Sequence, residues 1–242
     1  MSNFYDILKN VCVLAHEEKP SVFSTSQSPY TEIKQYINDI LEEVCSKYPW
    51  TFRERAFSLE TVVGQREYAF PNGVCASGII ENGVRIQNVS QPLYFMLHNI
   101  LDSVAGTGGI PVRYSVYADK LILDPTPDKV YSLTVKYLTV NFASETGDNN
   151  KITEKSNLEN ETDVTIIPDR FIKVIEWGAY SLYRQNFKPD NKYQLARSKY
   201  LEFLLDMQKH DNYSGDSAPA IVINEPQSGN YGQDERFFRW KS

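Results

Sequence analysis

The stretch YPWTFRERAFSLE, residues 48–60, is where the chain changes from a helical to an extended period. Upstream of it, Ile33, Ile37, Ile40, Leu41 and Val44 form one apolar stripe, with Thr31 placed to cap a helix. That helix cannot run past Tyr48, because the residue before a proline is pushed out of the helical region. Trp50 and Phe52 follow at once and are expected to pack as a hinge, locking the helix onto whatever comes next. Beyond them Phe57, Leu59 and Thr61 alternate with Ser58, Glu60 and Val62, which is the period of a strand. GQREYAFP, residues 64–71, then reads as the second arm of a β-hairpin, with Tyr68 and Phe70 on one face and Pro71 as its stop.

Working outward, residues 3–16 place Phe4, Ile7, Leu8, Val11 and Ala15 at helical spacing, and 17–30 are loop by composition. Residues 74–90 carry two weak strands around the turn pair Asn82 and Gly83, and 91–104 return to helical spacing through Leu93, Leu97, Ile100, Leu101 and Val104. The clearest strands follow. Val112, Tyr114 and Val116 share a face, as do Leu121 and Leu123, and as do Tyr131, Leu133, Val135 and Tyr137. Turns at Ala118 and Asp119 and at DPTPD (residues 124–128) predict an antiparallel meander with one buried face. Residues 143–166 are polar and net negative, and read as a long acidic loop.

Helical spacing resumes after Pro168 with Phe171, Val174, Ile175, Gly178 and Leu182. It continues after KPDN with Tyr193, Ala196, Tyr200, Phe203, Leu204 and Met207, predicting an antiparallel helical hairpin. The remainder is an extended arm with one strand-like run at 220–224. The expected fold class is therefore α+β: a helical bundle with an inserted antiparallel β meander lobe and an extended C-terminal arm. The expected units are an N-terminal helical segment (1–56), the β lobe (57–142), the acidic loop (143–168), a helical hairpin completing the bundle (169–212) and the arm (213–242).

Composition narrows the function. The chain has 242 residues and a net charge of −6, which argues against gripping nucleic acid by neutralising phosphates. The 3 cysteines have neither disulfide nor zinc spacing. Neither a signal peptide nor an apolar run of membrane length is seen. His16, His98 and His210 sit in different elements without metal-ligand or triad spacing. GTGGIP (residues 106–111) lacks the Lys-Ser/Thr of a phosphate loop, and Asp124 and Asp128 read as solvated carboxylates of a turn. No catalytic residue, cofactor or metal site is expected, and the protein is read as not an enzyme. The arm is different. Arg236, Phe237, Phe238, Arg239 and Trp240 have no core of their own, and their types dominate protein–protein hot spots, so they are expected to bury in a partner.

The order of YPWTFRERAFSLET, GQREYAFP, GGIPVRYSVYADKLILDPTPD, YSLTVKYLTV and the helical hairpin opening after IPDRF resembles the head-to-tail adaptor (connector) proteins of tailed double-stranded DNA phages. It is most similar to tail-tubular-protein-A-like rings and to the ring proteins of crAss-like phages, over about residues 31–210. What the resemblance implies is a virion protein assembled in the host cytoplasm, acting at the head–tail junction. It would form a cyclic homo-oligomeric ring, typically of twelve copies, beneath the portal protein. The ring would extend the channel so that double-stranded DNA passes without specific binding, and would dock the next tail component, a nozzle or a further ring. The arm would contact the portal or a neighbouring subunit. Two other readings stand beside it: a tail-associated β-lobe module for carbohydrate or fibre attachment, with Tyr117 on the open face, and a small enzyme.

Overall fold

Helical periodicity at the two ends of the chain converges on a single core. In this computed structural model the described residues are 2–24, 26–87, 89, 91–103, 108–146, 152–187 and 192–211. Helices α1 (Phe4–Ala15), α2 (Tyr30–Lys47), α4 (Lys173–Phe187) and α5 (Lys192–His210) bury their apolar stripes together, while the short α3 (His98–Ser103) lies in the β region. Asn3 caps α1 by accepting from the Asp6 N–H at 2.8 Å, and His16 ends it in the left-handed conformation. The residue at the cap of α2 is Pro29 rather than Thr31, which lies inside the helix, and no side chain caps that end. The other end stops at Tyr48, in extended conformation, as the proline requires.

The fold is α+β, a helical bundle carrying a β lobe. The lobe holds two sheets: β1 (Glu54–Glu60), β7 (Ser132–Leu138) and β3 (Ile79–Ile86) in the order β1-β7-β3, and β2 (Glu67–Ala69), β6 (Lys120–Asp124), β5 (Arg113–Tyr117) and β4 (Tyr94–Phe95) in the order β2-β6-β5-β4. Their inner faces share one core, in which Tyr68, Tyr114, Leu121 and Leu123 meet Val84, Leu133 and Val135. The pairing differs from the expected meander. The β5–β6 hairpin forms, turning at Ala118 and Asp119 with φ of 50° and 56°. However, β2 occupies the other edge of β6, so β7 crosses into the second sheet and becomes its centre. The expected hairpin of β1 with β2 does not form for the same reason: the two strands belong to different sheets.

Two further expectations are corrected. Asn82 and Gly83 do not turn a hairpin; they make an irregularity inside the single strand β3, where Asn82 has φ of 59°. A Cβ on Gly83 would lie 2.7 Å from the Ile80 carbonyl oxygen, so the close approach there needs glycine. The stretch 143–168 is not simply an acidic loop. It contains β8 (Ala143–Thr146), β9 (Ile152–Lys155) and β10 (Val164–Thr165), ordered β10-β8-β9. Its acidic groups are used locally: the fully buried Asp163 accepts from the Glu159 and Asn160 N–H groups at 2.7 and 2.8 Å and pairs with Lys155 at 3.3 Å. Leu158 and Ile167 sit in the helical core, and Asn38 of α2 bonds the Leu158 backbone through both its amide groups, at 2.9 and 3.0 Å.

The tightest approach in the bundle is between α2 and α4. A Cβ added to Gly178 would lie 2.6 Å from Ile40 Cγ2. Gly178→Ala therefore forces the two helices apart, and over-packing of this kind costs about 1–3 kcal/mol. Chemical denaturation should show that loss, and the cost in an Ile40→Ala background should be smaller than in the wild-type chain.

Candidate functional site

Helix α2 ends with carbonyls that have no helical donor, and the side chains just after Pro49 satisfy them. The Trp50 indole Nε1 donates to the Val44 carbonyl at 2.7 Å, with the ring fully buried. Tyr48 and Phe52 flank it, with ring centroids 4.7 and 5.7 Å away, the Phe52 contact being stacked. Arg53, nearly buried, donates to the Cys45 carbonyl and, through Nε and Nη2, to the Thr139 carbonyl at 3.1 and 3.0 Å. Its guanidinium lies 5.3 Å from the Phe142 ring, and burial lowers its pKa from the ordinary arginine value. One side chain thus joins the end of α2 to the exit of β7. The sequence reading named Trp50 and Phe52 and passed over Arg53, although a charge inside an aromatic run is the signal that could have found it.

A second feature lies on the lobe. Tyr94 (61% exposed), Leu97 (58%), Val112 (49%) and Tyr117 (57%) are large apolar residues facing solvent, with Phe95 and Ile100 between them. Pairing sorts them by face: Tyr94 falls in the phase of Arg113 and Tyr117, and Phe95 and Val112 in the phase of the buried Tyr114. Strand β4 runs parallel to β5, with Tyr94 opposite Arg113 and Phe95 opposite Tyr114, and the Tyr94 N–H donates to the Val112 carbonyl at 3.0 Å. His98 stacks on Tyr117 with ring centroids 4.3 Å apart, fixing α3 against β5. Beside this belt a cleft of about 410 Å³ is lined by Ser77, Ile79, Glu81, Phe95, Tyr114 and Val116. Burial, with Glu81 adding to it, pushes the Tyr114 phenol up to about 12. Leu97 and Ile100 share the helical spacing of the buried Leu93 and Leu101, so spacing alone could not reveal that they face outward.

The remaining candidate groups are structural. His16 caps α1, and His210 meets Asp206 on the same helix. Asp124 is not solvated: it is buried to 1% exposure and paired with Arg113 across the β5–β6 hairpin. Asp128 accepts from the Tyr131 hydroxyl at 2.7 Å. Burial pushes the Cys12 thiol up to about 11 and Cys45 up to about 12, so neither is a thiolate at neutral pH. Among the described residues no group of three His, Cys, Asp or Glu could hold a metal ion. Tyr114, Tyr131 and Tyr137 are buried, which removes them from any sugar-binding face and leaves Tyr117 stacked on His98. Arg236, Phe237, Phe238, Arg239 and Trp240 lie outside the described residues.

Removing the Arg53 head group while keeping its length isolates its role. Arg53→Met leaves the buried Thr139 carbonyl without the two donors named above, at an expected cost of about 1–3 kcal/mol. Urea unfolding followed by circular dichroism should show a lowered midpoint with an unchanged folded spectrum.

The geometry offers an aromatic junction after α2, exposed apolar side chains on the lobe and buried ionisable groups committed to packing. No helix among the described residues is long and apolar enough to cross a membrane. No curated protein matches the chain at a significant level. The family described as SU10 adaptor protein matches residues 2–222, which takes in the bundle and the lobe and stops short of residues 236–240. A match over that share of the molecule settles the family: the chain belongs to the SU10 adaptor proteins, the structural adaptors of phage particles.

Proposed function

We propose that this adaptor works as a closed ring at the head–tail junction, of the kind formed by tail-tubular-protein-A-like and crAss-like ring proteins. Twelve copies sit beneath the portal protein, continue its channel and present a platform to the next tail component, a nozzle or a further ring. The observation that carries this reading is the exposed belt of Tyr94, Phe95, Leu97, Ile100, Val112 and Tyr117 on the lobe. Several large apolar side chains exposed on one lobe are a mark of a contact with another macromolecule. A closed ring is built from heterologous contacts, so each subunit needs two different complementary patches. The lobe belt is one of them, and the outer face of α5, where Leu195 is exposed, supplies the other.

The remaining roles follow from charge and from the arm. A subunit with a net charge of −6 lines a conduit that repels the phosphate backbone, so double-stranded DNA passes without being held. Residues 236–240 then act as the anchor: two arginines and three aromatics on the segment that follows the bundle in sequence, suited to a groove on the portal or on the neighbouring subunit. Catalysis has no part in this function, and assembly takes place in the host cytoplasm.

Two variants separate the parts. Leu97→Asp puts a charge into the belt without touching either core; it should keep the wild-type circular dichroism and lose ring formation on the cognate portal, measured by native mass spectrometry. A ring of wild-type stoichiometry would overturn the belt's role. Deleting residues 229–242 should abolish portal docking while helical and sheet content stay unchanged, and normal binding by the truncated chain would remove the arm from the account.

A further inference from the structure

Strand β1 is an edge. Among the described residues it pairs with β7 on one side and with no strand on the other. The pairing phase shows which groups are left over. The Thr139 N–H donates to the Arg53 carbonyl and the Thr61 N–H to the Tyr131 carbonyl, so the odd positions of β1 point their backbone groups at β7. Those of Ala56, Ser58 and Glu60 point away from it. The side chains tell the same story: Phe57 and Leu59 pack against the lobe core but are only half-buried, so the apolar inner face runs on past the last strand. A seven-residue edge without proline or bulge is a template for another strand.

The described part of the chain ends close to this edge. Asp211, the last described residue, accepts from the Thr51 backbone N–H, at 3.1 and 3.2 Å to its two oxygens, and from the Thr51 hydroxyl. Thr51 opens the single turn Thr51–Arg53 that leads into β1 at Glu54, so the described chain ends near the start of the open edge. Residues 212–219 then span up to about 26 Å when extended, enough to reach any position along β1. Next comes Ala220, Ile221, Val222, Ile223 and Asn224, a β-branched run with Ile221 and Ile223 in one phase. The family match also continues past α5, to residue 222.

We infer that residues 220–224 add to the outer edge of β1 of the same chain as a further strand, with Ile221 and Ile223 covering Phe57 and Leu59 and Val222 on the outer face with Ser58. The tether favours the same chain over a second copy, because a short link holds the segment at high local concentration. This is independent of the ring and of the portal contact at residues 236–240.

Paired cysteines test it on the full chain, with Cys75→Ser removing the half-buried native thiol. Val222→Cys is combined in turn with Ala56→Cys, Ser58→Cys and Glu60→Cys, since a disulfide forms only when the two Cα atoms come within about 7 Å. One of the three pairs should give an oxidised monomer on mild oxidation. Disulfide-linked dimers instead, or no link in any pair, would overturn the inference. Hydrogen exchange on the doubly substituted Ile221→Asp, Ile223→Asp chain is the second reading. Protection of the Ala56, Ser58 and Glu60 amides should be lost, and amides of those residues exchanging as in the wild type would equally overturn it.

Discussion

The carbonyls of Val44 and Cys45 decide how the two halves of this molecule are joined. Proline at position 49 ends α2, and a helix that ends in the interior must find donors for its last carbonyls. Here they come from the Trp50 indole and the Arg53 guanidinium, both held in the segment that leads into β1. Arg53 also reaches the Thr139 carbonyl, where β7 returns towards the bundle. The entry and exit of the lobe are thereby fastened to one helix end, and the direction of the lobe relative to the bundle is set by a few directional bonds and not by apolar packing alone.

Much of the bundle was legible because helical burial leaves a period. The stripe of α2, its stop at Tyr48 and the stripes of α4 and α5 all read directly, since each helix buries one face in a single core. Strand partners were not legible. The alternation of Tyr131, Leu133, Val135 and Tyr137 reports that one face of β7 is buried, and it would be the same beside β6 or between β1 and β3. What decided the matter was β2, a three-residue strand that takes the free edge of β6. Tyr68 and Phe70 made that strand itself legible, but so short an element carries no sign of which strand it will pair with. Asn82 and Gly83 carried the right local signal, a backbone with positive φ, but such a pair serves a bulge as readily as a turn.

The acidic stretch hid its order for a different reason. Asp163 looked like part of a solvated run, yet it is the group around which a turn and Lys155 are arranged, and charge composition does not distinguish the two. Phe142, Leu158 and Ile167 are spaced irregularly because each enters the helical core from a separate corner of a small sheet. The exposed residues of the lobe behaved similarly. Leu97 and Ile100 carry the same residue types and spacing as core positions, so only the three-dimensional course of β4 and α3 separates the exposed pair from Leu93 and Leu101. Residues that meet a partner resemble residues that meet their own core, because the same apolar burial holds both.

The proposed ring acts by shape and repeated contact around a conduit. Cryo-electron microscopy of the full-length protein mixed with its cognate portal tests it most directly. An added ring is expected on the portal's exit face, with the exposed apolar residues of each lobe buried against the neighbouring subunit. Portal particles carrying no added density, or subunits bound singly with the belt facing solvent, would contradict it.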